Sequence, residues 1–207
     1  MLVLFIADRQ ISARLGQSFW SRGPSLSSQY TAKDFPSLSS TSNVNNSDYA
    51  SVLQANIELT QILHNSHSIL YSSKKRTLEM IHDGDYARYL DDFLRATTSW
   101  YDVWADMKVP QKIRSTMLLT YEYVCLYVNT FSLQAVLTRW STERPPLQRR
   151  ESIDEQTLAG LFSRGIMLSP DGRYILGAIR AAMNLLRLMN DLDPRQILCY
   201  LPLRFHL

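Results

Sequence analysis

The sequence predicts an all-α fold, an irregular multi-helix bundle with a long polar loop near its N-terminus. Three observations predict it. Apolar residues recur every three or four positions in segment after segment. No series of segments alternates apolar and polar residues as half-buried strands do. Helix punctuation falls at the ends of the periodic stretches: Gly16 after the first, Gly84-Asp85 and Pro110 around the middle ones, Ser169-Pro170 before the last. There is no fixed-period repeat.

The first element spans residues 2–15. Leu4, Phe5, Asp8, Ile11, Ser12 and Leu15 fall on one helical face, and Gly16 supplies a stop. Asp8 and Ser12 are polar on that apolar stripe, so burial there demands partners. Residues 16–49 read as loop, with a Gly23-Pro24 turn and a Ser- and Asn-rich tract over Ser37 to Asp48 that is too polar to build a core.

Residues 49–70 carry the next stripe, formed by Val52, Ala55, Leu59, Ile62, Ser66, Ile69 and Leu70. A short helix follows Ser73 through Ile81, broken by His82-Asp83-Gly84, and Asp85 is placed to cap its successor. That successor has the clearest pattern in the chain, from Tyr86 through Leu90, Phe93, Thr97, Trp100 and Trp104 to Met107. Pro110 suits a first helical turn. The helix after it is apolar on nearly every face from Met117 to Leu137, which predicts a central, buried element. Residues 141–151 read as a linker containing Pro145-Pro146, and Ser152 with Glu155 forms a capping box. The last long helix carries Ile175, Ala178, Ile179, Ala182, Leu185, Leu186 and Met189 and ends at Asp193-Pro194. Leu198 to Leu207 is apolar. Both ends begin and stop among apolar residues, and the expected unit, residues 1–207, is an incomplete piece of a larger domain.

With 207 residues, 45% hydrophobic and 20% charged, the chain can bury one sizeable core. A net charge of +3 gives no support for direct DNA binding. The chain alone is expected to form no sequence-selective, salt-sensitive complex in a gel shift. Two distant cysteines, Cys125 and Cys199, make no disulfide scaffold and read as buried inert thiols in a reduced compartment. Met117 to Leu137 is no membrane span, because Glu122 would be costly in a bilayer.

Candidate chemistry is thin. His64 and His67 share a helical face and could offer two metal ligands, a third having to come from His82, Asp83 or Asp85, and solvent-facing histidines are the expectation. Asp83, Asp85, Asp91 and Asp92 lack the rest of a calcium loop and read as helix-start charges. Lys74-Lys75-Arg76 and Arg149-Arg150 read as solvated surface. There is no glycine-rich phosphate loop, no Gly-x-Ser-x-Gly elbow and no six-cysteine cluster, so the reading is non-enzymatic. Tyr89, Phe93, Trp100 and Trp104 belong to an aromatic stripe that is either a core seam or the lining of a cavity between helices. If Trp100 and Trp104 are buried, replacing either with alanine costs about 3–5 kcal/mol.

The segment Ala7-Asp8-Arg9-Gln10-Ile11-Ser12-Ala13-Arg14-Leu15-Gly16, followed by Gln17-Ser18-Phe19-Trp20-Ser21-Arg22-Gly23-Pro24, resembles the hallmark stretch of the fungal-specific transcription factor domain, the middle homology region. Its motif residues here are Asp8, Arg9, Gln10, Ser12, Arg14, Gly16, Phe19 and Trp20, and Ser18 stands where many members have proline. A second block, Glu58-Leu59-Thr60-Gln61 through His67-Ser68-Ile69-Leu70-Tyr71, then Gly84-Asp85-Tyr86 to Phe93 and Ser99-Trp100, resembles the subgroup of the secreted-protease activator and the leucine-biosynthesis regulator. The resemblance implies a nuclear regulator of RNA polymerase II genes. It also implies DNA binding through a separate module whose six cysteines hold two zinc ions, usually as a homodimer, and contact with the transcription machinery or a corepressor. No cofactor and no membrane contact are expected of this chain itself. A stand-alone helical interaction module and a nonfunctional gene fragment are the alternatives.

Overall fold

The computed structural model describes residues 2–21, 23, 30–38, 49–143, 165 and 168–191. Among them the fold is all-α, with six helices and no strand: α1 (Leu2–Leu15), α2 (Tyr49–Leu70), α3 (Lys74–Asp83), α4 (Tyr86–Trp104), α5 (Gln111–Glu143) and α6 (Gly172–Asn190). Two single 3-10 turns, Ala32–Asp34 and Pro36–Leu38, lie within the stretch expected to be loop. The helix α5 runs to Glu143 and so takes in the first residues of the expected 141–151 linker. The rest of that linker, the Ser152–Glu155 box, Asp193-Pro194, Cys199 and the apolar tail lie outside the described residues.

The termini of the helices follow from local chemistry. Gly16 takes φ 62° at the end of α1, Gln17 N–H donates to Ser12 O at 2.9 Å and Gly16 N–H to Ala13 O at 3.4 Å. This paired closure needs a left-handed residue, which glycine adopts without steric cost. Ser73 Oγ accepts from Arg76 N–H at 3.3 Å and caps α3, while Gly84 closes that helix at φ 76°. Asp85 does not cap α4, contrary to expectation: its backbone is already helical and its carboxylate accepts no capping hydrogen bond. A cap residue needs extended backbone to turn its side chain onto the free amides. The turn into α5 is fixed from the other side. Arg114 donates from Nε and Nη2 to Ala105 O, at 3.0 and 2.8 Å, at the C-terminal end of α4, where free carbonyls favour a cation.

The main core cluster runs from Ala13 of α1 to Tyr174 of α6 and is built on Leu59, Leu63, Leu70, Leu90, Val124, Val128 and Phe131, and a smaller cluster joins Val136 of α5 to Ile175 of α6. The helix α5 is central, touching α2, α3, α4 and α6. An aromatic belt crosses it: Tyr71 meets Tyr127 and Phe131 with centroids 5.1 and 5.4 Å apart, and Tyr86 meets Phe131 at 5.5 Å. Glu122, the costly charge in this helix, accepts from Asn184 Nδ2 at 3.0 Å, and burial pushes its carboxyl up from the usual carboxylate range.

Two stripes are rotated from their expected positions. In α1 the buried residues are Phe5, Arg9, Ser12 and Ala13, while Leu4, Ile11 and Leu15 are exposed among the described residues. The polar face wins because every polar group on it has a partner, as described below. In α6 the buried residues are Gly172, Tyr174, Ile175, Ala178 and Ala181, and Ile179, Leu186 and Met189 are exposed. The small residues face α5 and permit close approach, which turns the bulky ones away. Gly177 marks the tightest point. A Cβ there would lie 3.0 Å from Asn129 Oδ1 and 3.1 Å from Asn129 Cγ. Asn129 is buried and held by Nδ2 donating to Cys125 O at 2.8 Å, so it has little room to retreat. Gly177→Ala should therefore lower stability by about 1–2 kcal/mol, because overpacking outweighs the helix propensity that alanine gains. A urea midpoint equal to or above wild type would contradict this.

A polar junction pins the same helices at their ends. Tyr86 Oη donates to Asp171 Oδ1 at 2.6 Å, Arg139 Nη1 donates to Tyr86 Oη at 2.8 Å, and Arg139 pairs with the Asp171 carboxylate. Next to it Asp91 Oδ1 accepts from Tyr174 Oη at 2.9 Å and Asp91 Oδ2 from Arg173 at 2.9 Å. Asp91, expected as a helix-start charge, instead ties α4 to α6.

Candidate functional site

The motif residues of α1 and the turn after it close into one network. Asp8 accepts from the Trp20 amide at 3.2 Å, the Ser21 amide at 3.0 Å and Ser21 Oγ at 2.8 Å, and pairs with Arg9. Ser12 Oγ donates to Asp8 Oδ1 at 3.4 Å. These bonds hold the Asp8 carboxyl below its ordinary value although burial opposes it. The Gly16 turn is what folds residues 17–21 back within reach of Asp8, twelve residues earlier.

Arg9 is 2% exposed. Its guanidinium lies between two rings, 4.8 Å from the Phe5 centroid and 4.3 Å from that of Phe19. Nη1 donates to Ser21 Oγ at 3.1 Å, Nη2 to Ser21 O at 2.9 Å, and Nε to His64 Nδ1 at 3.1 Å on α2. A buried guanidinium needs this many partners to offset its lost hydration. Gly23 packs directly on it: a Cβ there would lie 3.0 Å from Phe5 and 3.1 Å from Arg9 Nη2. Phe19 closes the far side over both histidines, with centroids 5.1 Å from His64 and 4.5 Å from His67. His67 Nδ1 is hydrogen-bonded to Tyr127 Oη at 2.6 Å.

The histidines are thus half-buried and engaged, not solvent-facing as expected. No spacing within α2 signals this, since their partners come from α1, the turn and α5. Gln10 is half-buried beside the network, Arg14 and Gly16 are exposed, and Trp20 offers only its amide, its indole being 88% exposed.

His64 accepts from a cation, so it must stay neutral on Nδ1. Burial first, then the charge of Arg9 and the neighbouring His67, pull its pKa below the ordinary imidazole value, and burial and Arg9 do the same to His67. The folded state resists protons that the unfolded chain takes up. Stability is therefore full above about pH 6.5 and falls as pH drops through that value toward the lowered folded ones. Asp8 titrates below this window, and Glu122, raised in the fold, acts in the opposite sense. The urea midpoint should fall from pH 7.5 to 5.5, and His64→Gln should flatten that slope. An unchanged slope in the variant would exclude the Arg9–His64 contact as its cause.

Two concavities adjoin these elements. A groove of about 370 Å3 between α2 and α4 is lined by Glu58, Ile62, Asn65, Trp100, Val103 and Trp104. Of the aromatic residues expected to line a cavity, Trp100 and Trp104 contribute. Phe93 lies in the core, and the half-buried Tyr89 carries the Arg88 guanidinium 4.7 Å above its ring. Trp100 Nε1 donates to Ala55 O at 2.8 Å and Trp104 Nε1 to Glu58 Oε2 at 2.7 Å. Glu58 accepts from Gln54 at 2.8 Å, which in turn accepts from the Ala32 amide at 2.7 Å. The second concavity, about 540 Å3, lies between the Gly16 turn, α2 and α5, where His67, Tyr71, Tyr123 and Tyr127 form its walls. Burial raises the pKa of all three phenols, so they remain neutral donors.

The residues do not fit a binuclear zinc cluster. Among those described, no three His, Cys, Asp or Glu side chains group to hold a metal ion. Cys125 is the one thiol among the described residues, and burial pushes it up to about 11, making it a poor ligand and nucleophile. Among the described residues no helix is long and apolar enough to cross a membrane. No family model, curated protein or solved structure matches the chain.

Proposed function

We propose that this chain is the effector-sensing, autoinhibitory region of a fungal zinc-cluster transcription factor. It acts in the nucleus on RNA polymerase II genes, with secreted-protease or nitrogen and amino-acid metabolism genes as the expected targets. It is not an enzyme and carries no cofactor of its own. DNA is reached through a separate zinc module, in a homodimer of the complete regulator, and its output passes to the transcription machinery or a corepressor.

The observation that carries the reading is that the residues of the resemblance meet. Asp8, Arg9, Ser12, Gly16 and Phe19, quoted from the sequence as a hallmark pattern, join in one closed network that docks α1 on α2 and fixes the following turn. That these residues meet supports a folded regulatory unit over a solvent-exposed recognition tail. Among the described residues, the half-buried Cys125 and the neutral phenols supply no nucleophile paired with a base.

The test places the chain between an unrelated DNA-binding module and an activation segment in a yeast reporter strain. Output well below that of the module and activator joined directly is expected, with Arg9→Ala restoring it. Equal output with and without the chain would refute the regulatory reading.

A further inference from the structure

The tyrosine cleft beside the Gly16 turn has the size and lining of a ligand site. Its volume, about 540 Å3, is in the range of small-molecule pockets. It is lined by the rings of His67, Tyr71, Tyr123 and Tyr127 together with Ala13 and Leu126. The rings are set at angles: Tyr71 and Tyr127 are inclined at 54°, Tyr123 and Tyr127 at 40°. They present π-faces and edges to the cleft and not one flat wall. The Tyr127 hydroxyl is used by His67 and the Tyr71 hydroxyl reaches Tyr127 O at 3.4 Å. The Tyr123 hydroxyl makes no hydrogen bond to another described residue.

Charge decides between the two ligand classes that an aromatic cleft can take. A cage for an ammonium group needs open ring faces and is helped by a nearby acid. Among the described residues no acid lines this cleft, and the face of Tyr123 is already covered by a cation, the Arg14 guanidinium, 5.0 Å from the ring centroid. Arg14 is exposed, and among the described residues it has no ion-pair partner. Stacked on a ring, a guanidinium keeps its N–H edge free, and that edge matches a carboxylate in two parallel hydrogen bonds.

We propose that this cleft binds a small planar aromatic carboxylate, its rings among Tyr71, Tyr123 and Tyr127 and its carboxylate reaching past the lining to the Arg14 guanidinium, which lies over Tyr123 beside the cleft. The bound ring would lie against Ala13 and Gly16, the end of α1, so occupancy bears on the segment that the Asp8–Arg9 network fixes. This gives the regulatory reading its effector class and rests on that reading for its consequence, not for the binding itself.

The experiment is saturation-transfer NMR titration of the whole chain with three probes: 2-naphthoate, 2-naphthylmethanol and 2-naphthylmethylammonium. A ligand of this size is expected to bind with a dissociation constant of the order of a millimolar. The carboxylate should bind about tenfold more tightly than the alcohol, the scale of one charge-assisted contact. Arg14→Gln should erase that ratio and leave the alcohol unchanged, and Thr130→Trp, an exposed position at the cleft, should block both. Thermal melts confirm that the variants fold. Parity of carboxylate and alcohol in wild type, tightest binding of the ammonium, a ratio that persists in Arg14→Gln, or binding that survives Thr130→Trp would each overturn the proposal. Binding as described with no reporter response would sink the regulatory reading alone.

Discussion

Arg9→Ala is expected to cost about 3–5 kcal/mol of folding stability, the scale for breaking a buried ion pair by removing one partner. The loss has three parts. Asp8, with its side chain mostly buried, loses its counterion and keeps only the Ser12, Trp20 and Ser21 contacts. His64 Nδ1 loses its donor. Phe5 and Phe19 lose the flat group packed between them, which leaves a void beside Gly23. Arg9→Lys should recover little, because an ammonium cannot lie flat between two rings and also bridge Ser21 and His64. Because the network closes the turn, limited proteolysis should cut within residues 17–21 of Arg9→Ala before global unfolding. A loss under about 1 kcal/mol, on the scale of a surface pair, would show that the network is not what docks α1.

Much of the architecture was legible from periodicity, and the errors have a common cause. The bounds of α2, the Gly16 and Gly84 stops and the central place of α5 all follow from local pattern, whereas α4 ends at Trp104, short of the expected Met107. The rotated faces of α1 and α6 do not, because hydrophobicity alone ranks Leu4, Ile11, Ile179 and Leu186 above Arg9, Ala13, Gly172 and Ala181. What overrides that ranking is tertiary: a guanidinium with a full set of partners, and small residues that let two helices approach. The candidate site divides in the same way. Asp8 and Ser12 stood out as polar residues on an apolar stripe that would need partners, and the partners exist. His64 and His67 read as surface because nothing within α2 announces Phe19, Arg9 and Tyr127. The tyrosine cleft draws on α1, α2 and α5, with no motif linking them. Asp85 failed as a cap because residue type favours capping while its backbone dihedrals forbid it.

The two tryptophans of α4 provide the sharpest separation between a core seam and a cavity wall. Trp100 is 4% exposed, stacks on Tyr121 at 5.5 Å and 14°, and donates to Ala55 O inside α2. Trp100→Ala should cost about 3–5 kcal/mol, from lost transfer energy and the cavity left between α2, α4 and α5. Trp104, one turn on, is only half-buried and bonded to Glu58 on the groove rim. It does not meet the condition under which the same loss was expected, and Trp104→Ala should cost about 1–2 kcal/mol. Trp100→Phe keeps most of the ring and loses the N–H, so it should cost about 1 kcal/mol, the worth of one hydrogen bond. Urea unfolding of the three variants orders these terms. Equal losses at Trp100 and Trp104 would mean that burial does not set the energetics of this seam. Wild-type stability in Trp100→Ala, with a lost response to a ligand, would make the groove and not the core the reason for the indole.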